Sequence, residues 1–281
     1  MRGIRAKDNY EKEILTRIES LSRSRQTWHV WSDLICAMAC TLSNSCDKDP
    51  ELWKEREKEY VSCIKRLGGA ELPAEIFRLI IEALETNPWQ DLLGDLYMRL
   101  NLGSHRHGQF FTPFNICRLM ASISIDQKPA EQIREHGWVS VSDPSVGGGA
   151  TLIAAAEEFR RQDINYQTQV LFVGQDVDRV AGLMAYIQLS LLGCPGYIVI
   201  GNALTNPVTG FSVLRPCPKE GQEFWFTPFF FRHEWQGRLL CEKMDELMKG
   251  SRKKEKLIFY FNFEKEEGDV RESIRKAGIA I

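Results

Sequence analysis

Asp143-Pro144-Ser145-Val146-Gly147-Gly148-Gly149 decides how this chain is read. Before it runs Trp138-Val139-Ser140-Val141-Ser142, whose alternation of apolar and polar residues predicts a strand. After it comes Ala150-Thr151-Leu152-Ile153-Ala154-Ala155-Ala156-Glu157-Glu158, rich in strong helix formers. Strand, glycine turn and helix in that order make a nucleotide-type binding unit. Glycines let the backbone approach a ligand closely, and the exposed amides at a helix start favour negative charge. The acid at the strand end, Asp143, needs a different partner, an amino group or a hydroxyl. An acid and glycines at one strand tip therefore point to a ligand with both an amino-acid and a nucleoside end. S-adenosylmethionine is such a ligand.

The rest of the composition sets bounds. A chain of 281 residues can hold one large core or two modest ones, and 26% charged with 43% hydrophobic residues describes an ordinary globular protein. A formal net charge of −2 excludes a chain coated in basic residues, so nucleic-acid binding would use a local basic patch or a partner's surface. The eight cysteines include no Cys-x-x-Cys pair and read as buried, reduced thiols of a cytosolic protein. Cys36 and Cys40, one helical turn apart, read as packing, and the five histidines, His105 and His107 among them, offer no ligand spacing. No metal is expected. With no bilayer-length apolar run and no visible signal peptide, the expectation is a cytoplasmic protein without a membrane partner.

The chain divides by pattern. Residues 1–104 read as an N-terminal helical domain, with helices over Trp28–Ala39, from Asp49-Pro50 to Lys65, over Ala74–Glu85 and over Pro88–Leu100. Residues 105–281 read as α/β. Strands over 138–142, 169–175 and 197–201 alternate with helices over 150–161 and 179–192, which predicts a parallel sheet with right-handed crossovers. Ligands of such sheets bind beyond the carboxyl ends of the strands. The second strand ends in Gln175-Asp176-Val177-Asp178, where Asp176 is placed to accept both ribose hydroxyls and Asp178 to cap the next helix. Capping stays open for both. The third strand ends in Gly201-Asn202-Ala203-Leu204, where Asn202 either meets an adenine amino group or closes a turn. Ahead of the sheet, Gly108-Gln109-Phe110-Phe111-Thr112-Pro113 reads as an aromatic wall running into an N-capped helix, or as a hydrophobic staple.

Together these segments resemble the adenine-N6 DNA methyltransferases, above all the modification subunits of type I restriction-modification systems. The resemblance covers about residues 75 to 205 in the family's motif order, with Asp91-Leu92-Leu93-Gly94-Asp95-Leu96-Tyr97 similar to the helix that leads into the motifs. It implies a Rossmann-like class I methyltransferase sheet and S-adenosylmethionine as cofactor. It further implies Phe111, Thr112, Pro113, Asp143, Pro144, Gly147 and Gly149 near the methionine end, Asp176 at the ribose and Asn202 at the adenine. The family usually has Asp where this chain has Asn202.

The resemblance stops at the catalytic motif. The family uses Asn or Asp, Pro, Pro and an aromatic after a fourth strand. The polar group and a prolyl carbonyl accept hydrogen bonds from the target amino group while the aromatic stacks on a flipped base. No such sequence occurs here. Thr227-Pro228-Phe229-Phe230 is the expected positional counterpart, with Thr227, Pro228 and Phe230 as the catalytic candidates. Asn206-Pro207 follows the third strand too closely and lacks the aromatic. After Phe230 only Leu257–Phe261 reads as a strand, so the sheet is expected to be shortened at its C-terminal end or completed by a partner. The basic cluster Lys249, Arg252, Lys253, Lys254 and Lys256 reads as a solvated linker that could also meet phosphates. With no room for target recognition, DNA specificity would come from a separate subunit. Three readings follow: an S-adenosylmethionine-dependent adenine-N6 DNA methyltransferase with a variant loop, a cofactor-binding subunit that does not methylate, and a methyltransferase for RNA or protein.

Overall fold

The computed structural model describes residues 2–104, 111–125 and 128–250. By compactness the chain forms two units, Met1–Leu240 and Cys241–Ile281. The expected strand over Leu257–Phe261 lies outside the described residues, as do Gly108, Gln109, Phe110, both loop histidines and the basic cluster apart from the backbone of Lys249.

Helices come first: α1 (Arg2–Leu21), α2 (Thr27–Cys46), α3 (Pro50–Leu67), α4 (Glu71–Thr86) and α5 (Leu92–Arg99). The α3 boundaries follow from local chemistry. Asp49 accepts hydrogen bonds from the amides of Glu51 and Leu52, and Pro50 opens the helix where its missing N–H is harmless. Gly68 closes it in the left-handed conformation at φ +90°. Next come α6 (Phe114–Ser124) and α7 (Lys128–His136), then β1 (Val139–Asp143), α8 (Ala150–Arg161), α9 (Tyr166–Gln169), β2 (Val170–Asp176), α10 (Arg179–Leu192) and β3 (Gly196–Ile200). A short hairpin of β4 (Gly210–Ser212) and β5 (Arg215–Pro216), then β6 (Glu223–Phe226), a 3-10 turn over Pro228–Phe231 and α11 (His233–Gly250) complete the described chain.

The main sheet has the order β1-β2-β3-β6. Its first three strands are parallel, as expected, and β6 is antiparallel to β3. Since β1, β2 and β3 succeed one another in one direction, right-handed crossovers put α8 and α10 on the same face. Alternation along the strands builds a core on each face. Val170, Phe172, Ile198 and Ile200 join a cluster shared with α2, α4, α8 and α10, which also takes in Trp225 of β6. Leu171, Val173, Tyr197 and Val199 turn to the other face and pack with Leu214, Phe230 and Trp235. Buried on both sides, β2 and β3 read as unbroken apolar runs. By contrast, β1 exposes Ser140 and Ser142 and has one ladder neighbour among the described residues.

The helices of residues 1–104 thus share one apolar core with the sheet. A buried cation reinforces the join. Arg56 of α3 pairs with Asp47 at 3.2 Å, donates to the Phe224 carbonyl at 2.8 Å and lies 4.2 Å over the Trp225 ring.

Candidate cofactor site at the strand tips

The parallel register brings the carboxyl ends of β1, β2 and β3 to one edge of the sheet, with Asp143 opposite Gly174 and Asp176 opposite Ile200. The glycine turn fills the space above β1. Gly147 takes φ +52°, and a Cβ there would come within 3.1 Å of the Phe111 ring. At Gly149, φ is +100° and a Cβ would meet the Ala185 Cα on α10 at 3.1 Å. Glycine at these two positions therefore serves both the turn and the close approach of its neighbours.

Two carboxylates organise the edge. Asp143 accepts the Ser145 amide at 2.9 Å and is also hydrogen-bonded by the Thr151 hydroxyl of α8. Asp176 accepts the Gly147 amide at 2.8 Å through one oxygen and the Asp178 amide at 2.8 Å through the other. One side chain at the tip of β2 thus holds the glycine turn above β1. Burial, aided by the charges of Asp178 and Asp143, raises the Asp176 carboxyl above its ordinary value, while its two amide donors pull the other way. Asp178 caps α10 through the amides of Val180 and Ala181, as the sequence suggests.

The segment before the sheet joins the same edge. Phe111 lies against Gly147, and its ring centroid is 5.0 Å from that of Tyr97. Thr112 and Pro113 are exposed, and the N-cap position of α6 falls to Pro113, with no side-chain cap from Thr112. Arg118 of α6 binds Glu157 of α8 at 2.6 and 2.9 Å, laying the two helices side by side. The Cys117 thiol, pushed up to about 11 by burial and by the charges of Asp91 and Asp143, points at the Thr112 carbonyl. Pro144 is exposed at the crest of the turn. Asn202 is exposed too, and its side-chain oxygen accepts the amides of Leu204 and Thr205, closing a turn.

The three catalytic candidates lie elsewhere. Because β6 runs against β3, Glu223 pairs with Ile200 at the carboxyl edge, and Phe226 pairs with Tyr197 towards the other end. Thr227 is therefore beside Gly196, where β3 begins, and not beside the strand tips. Its buried hydroxyl donates to the Cys194 carbonyl at 2.7 Å and accepts the Gly196 amide at 3.0 Å. Pro228 opens the 3-10 turn, and Phe230 is buried against Tyr197 and Phe226. A fourth parallel strand, which the expected catalytic placement requires, is not what 223–226 forms. Thr227→Val should lower stability by about 1–3 kcal/mol by leaving a buried amide without its acceptor. Urea unfolding measures that loss, and S-adenosylmethionine titration of the same variant should match wild type.

Residues 89–236, more than half of the chain, match the family model of the N-6 DNA methylases. The chain belongs to that family. No curated protein sequence matches it. Among solved structures it is similar to the methyltransferase subunit of a type I restriction-modification system from Streptococcus thermophilus. That match has 14% identity, 71% of this chain and 59% of the other covered, and a TM-score of 0.37. It is also similar to a candidate class I S-adenosylmethionine-dependent methyltransferase from Listeria monocytogenes, with 16% identity, 79% and 67% covered and a TM-score of 0.44. The chain spans 59% of the length of the Streptococcus thermophilus subunit.

Within this N-6 DNA methylase chain, three polar residues to which the sequence assigned no role of their own brace the site. Asp91 caps α5 through the Gly94 amide and accepts from Gln188 at 2.8 Å. Gln188 of α10 also donates to the Gly148 carbonyl at 2.8 Å, so the α5 start and the glycine turn are fixed to one helix. Gln175 donates to the carbonyls of Gly201 and Asn206, which holds the loop after β3. Each is a buried polar residue beside or within an apolar run, and that mismatch was the available signal. A cleft of about 470 Å³ between α4, α8 and α10 contains none of Asp143, Gly147, Asp176 or Asn202.

Proposed function

We propose that this protein binds S-adenosylmethionine at the strand tips and is the cofactor-binding part of an adenine-N6 DNA methyltransferase. The observation that carries the reading is the Asp176 carboxylate, which bridges the glycine turn and the start of α10. A carboxylate held there can also accept ribose hydroxyls, while Asp143 faces the amino-acid end. Acids at both places suit a cofactor that carries an ammonium and a sulfonium. Phe111, Thr112 and Pro113 would border the methionine end with Pro144, Gly147 and Gly149. Asn202 would approach the adenine through its amide NH₂, since its oxygen is already used. Val177 and Leu204, 67% and 94% exposed, offer apolar cover to the base at the same edge.

Methyl transfer in this reading belongs to an assembly with DNA and a separate specificity subunit. Two features favour a chain completed by another polypeptide. β1 has one ladder neighbour among the described residues, and α6 exposes Ile116, Leu119, Met120 and Ile123 on one face. The Thr227 turn supplies no acceptor to the cofactor edge, so the isolated chain should bind cofactor and transfer little methyl. Labelled S-adenosylmethionine and unmethylated DNA test this, with the chain alone and with the specificity subunit added. Transfer only in the assembly supports the reading. Strong transfer by the chain alone refutes the shared active site, and none in either arm refutes DNA methylation.

No helix among the described residues is long and apolar enough to cross a membrane.

A further inference from the structure

We propose that Cys36, Cys40 and Glu59, with Cys63 beside them as the fourth ligand, form a binding site for a thiophilic divalent cation, zinc by its chemistry, between α2 and α3. Cys36 and Cys40 stand one turn apart on α2, and Glu59 and Cys63 one turn apart on α3, which packs along it. Spacing of i and i+4 puts each pair on one helix face. The ligand atoms of Cys36, Cys40 and Glu59 all lie within 4.8 Å of one another, and Cys63, outside that set, is one helical turn beyond Glu59 on the same face of α3. Ligand atoms held by one tetrahedral zinc at about 2.3 Å stand roughly 4 Å apart, so Cys36, Cys40 and Glu59 are near that spacing already and the Cys63 side chain would turn in to complete the set.

The surroundings fit ligands better than core packing. A lone buried thiol behaves as a small apolar group, but these three contact a carboxylate and two guanidinium groups. Arg179 approaches the Cys36 sulfur at 3.7 Å and binds Glu59 at 2.9 Å, and Arg66 donates to the Cys63 sulfur at 3.2 Å. Donors aimed at sulfur and carboxylate are what orient metal ligands from outside. A bound cation takes the cysteines as thiolates, with the thiol protons released to solvent. Three sulfurs and one oxygen select zinc over hard cations. The cysteines are buried, while the Glu59 side chain is 37% exposed and gives the ion a route in. Arg179 is the first residue of α10, three positions beyond Asp176, so the ion would steady the cofactor edge from the helical side.

The test uses the full chain, stripped of metal and shown to be folded by circular dichroism. Zinc is titrated against a chromophoric chelator, and cobalt(II) is added in parallel. The expected result is one equivalent per chain, a thiolate-to-cobalt charge-transfer band and proton release. Cys40→Ser and Glu59→Gln should each weaken binding by about tenfold or more. The second keeps the size of the side chain, which guards against a variant that merely fails to fold, and Cys241→Ser should bind as wild type. The proposal is overturned by a folded chain that binds no zinc, by a cobalt adduct without thiolate charge transfer, or by unchanged affinity in both cluster variants. A disulfide between Cys36 and Cys63 that forms regardless of zinc would also overturn it.

Discussion

Asp176→Ala should weaken S-adenosylmethionine binding by about 100-fold or more, since two charge-assisted hydrogen bonds to ribose are worth roughly 1.5–3 kcal/mol each. The substitution acts twice. It removes the proposed ribose acceptor, and it frees the Gly147 and Asp178 amides, which lose the side chain that fixes the turn. Asp176→Asn should fall between Ala and wild type, because an amide oxygen can accept one of the two backbone donors but its NH₂ opposes the other. Calorimetric titration of both variants checks the order, with circular dichroism to confirm folding. Equal affinity in wild type and Asp176→Ala would remove the ribose role.

The same carboxylate sets a pH dependence. Its folded pKa is raised, mainly by burial. Its contribution to stability is therefore fully present below the unfolded value of about 3.9 and is lost as pH rises through the raised folded value. Cofactor affinity has the opposite sign, because only the ionised form accepts from both hydroxyls. Affinity should fall as pH drops through the raised value, whereas this group's share of stability grows.

Arg56→Ala should have the largest effect on the fold, about 3–5 kcal/mol, the range for breaking a buried ion pair by removing one partner. The Arg56 side chain is 4% exposed, and Asp47, its partner, is left with a 12% exposed side chain and without the guanidinium. The Phe224 carbonyl loses a donor at the same time, and the Trp225 ring loses the cation above it. The urea midpoint reports the loss, and Arg56→Lys should recover only part of it, because an ammonium cannot make the planar contact. A loss below about 1 kcal/mol would mean that water reaches the pair and that it behaves as a surface bridge.

Where local pattern carried the information, the sequence was legible. Alternation before Asp143 and alanines after Gly149 placed β1 and α8, and Asp49-Pro50 and Asp178 announced helix starts that the backbone amides bear out. Strand direction was not legible. Glu223–Phe226 has the aromatic content of a strand whichever way it runs, and only its register with β3 puts Thr227 at the far edge. The same limit hid the thiol cluster. Cys36 and Cys40 reveal their shared face on α2, but nothing in the linear order says that Glu59 faces them. Asn202 shows a third kind of limit, since a side chain able to meet a base is equally able to close its own turn, and here it does so.

The central claim is that the edge built by Asp143, Gly147 and Asp176 is a cofactor site. Isothermal titration of the folded wild-type chain with S-adenosylmethionine tests it most directly. The account predicts saturable, one-to-one heat whose affinity Asp176→Ala lowers about 100-fold or more and Thr227→Val leaves unchanged. No saturable heat at millimolar cofactor, from protein shown to be folded, would contradict it.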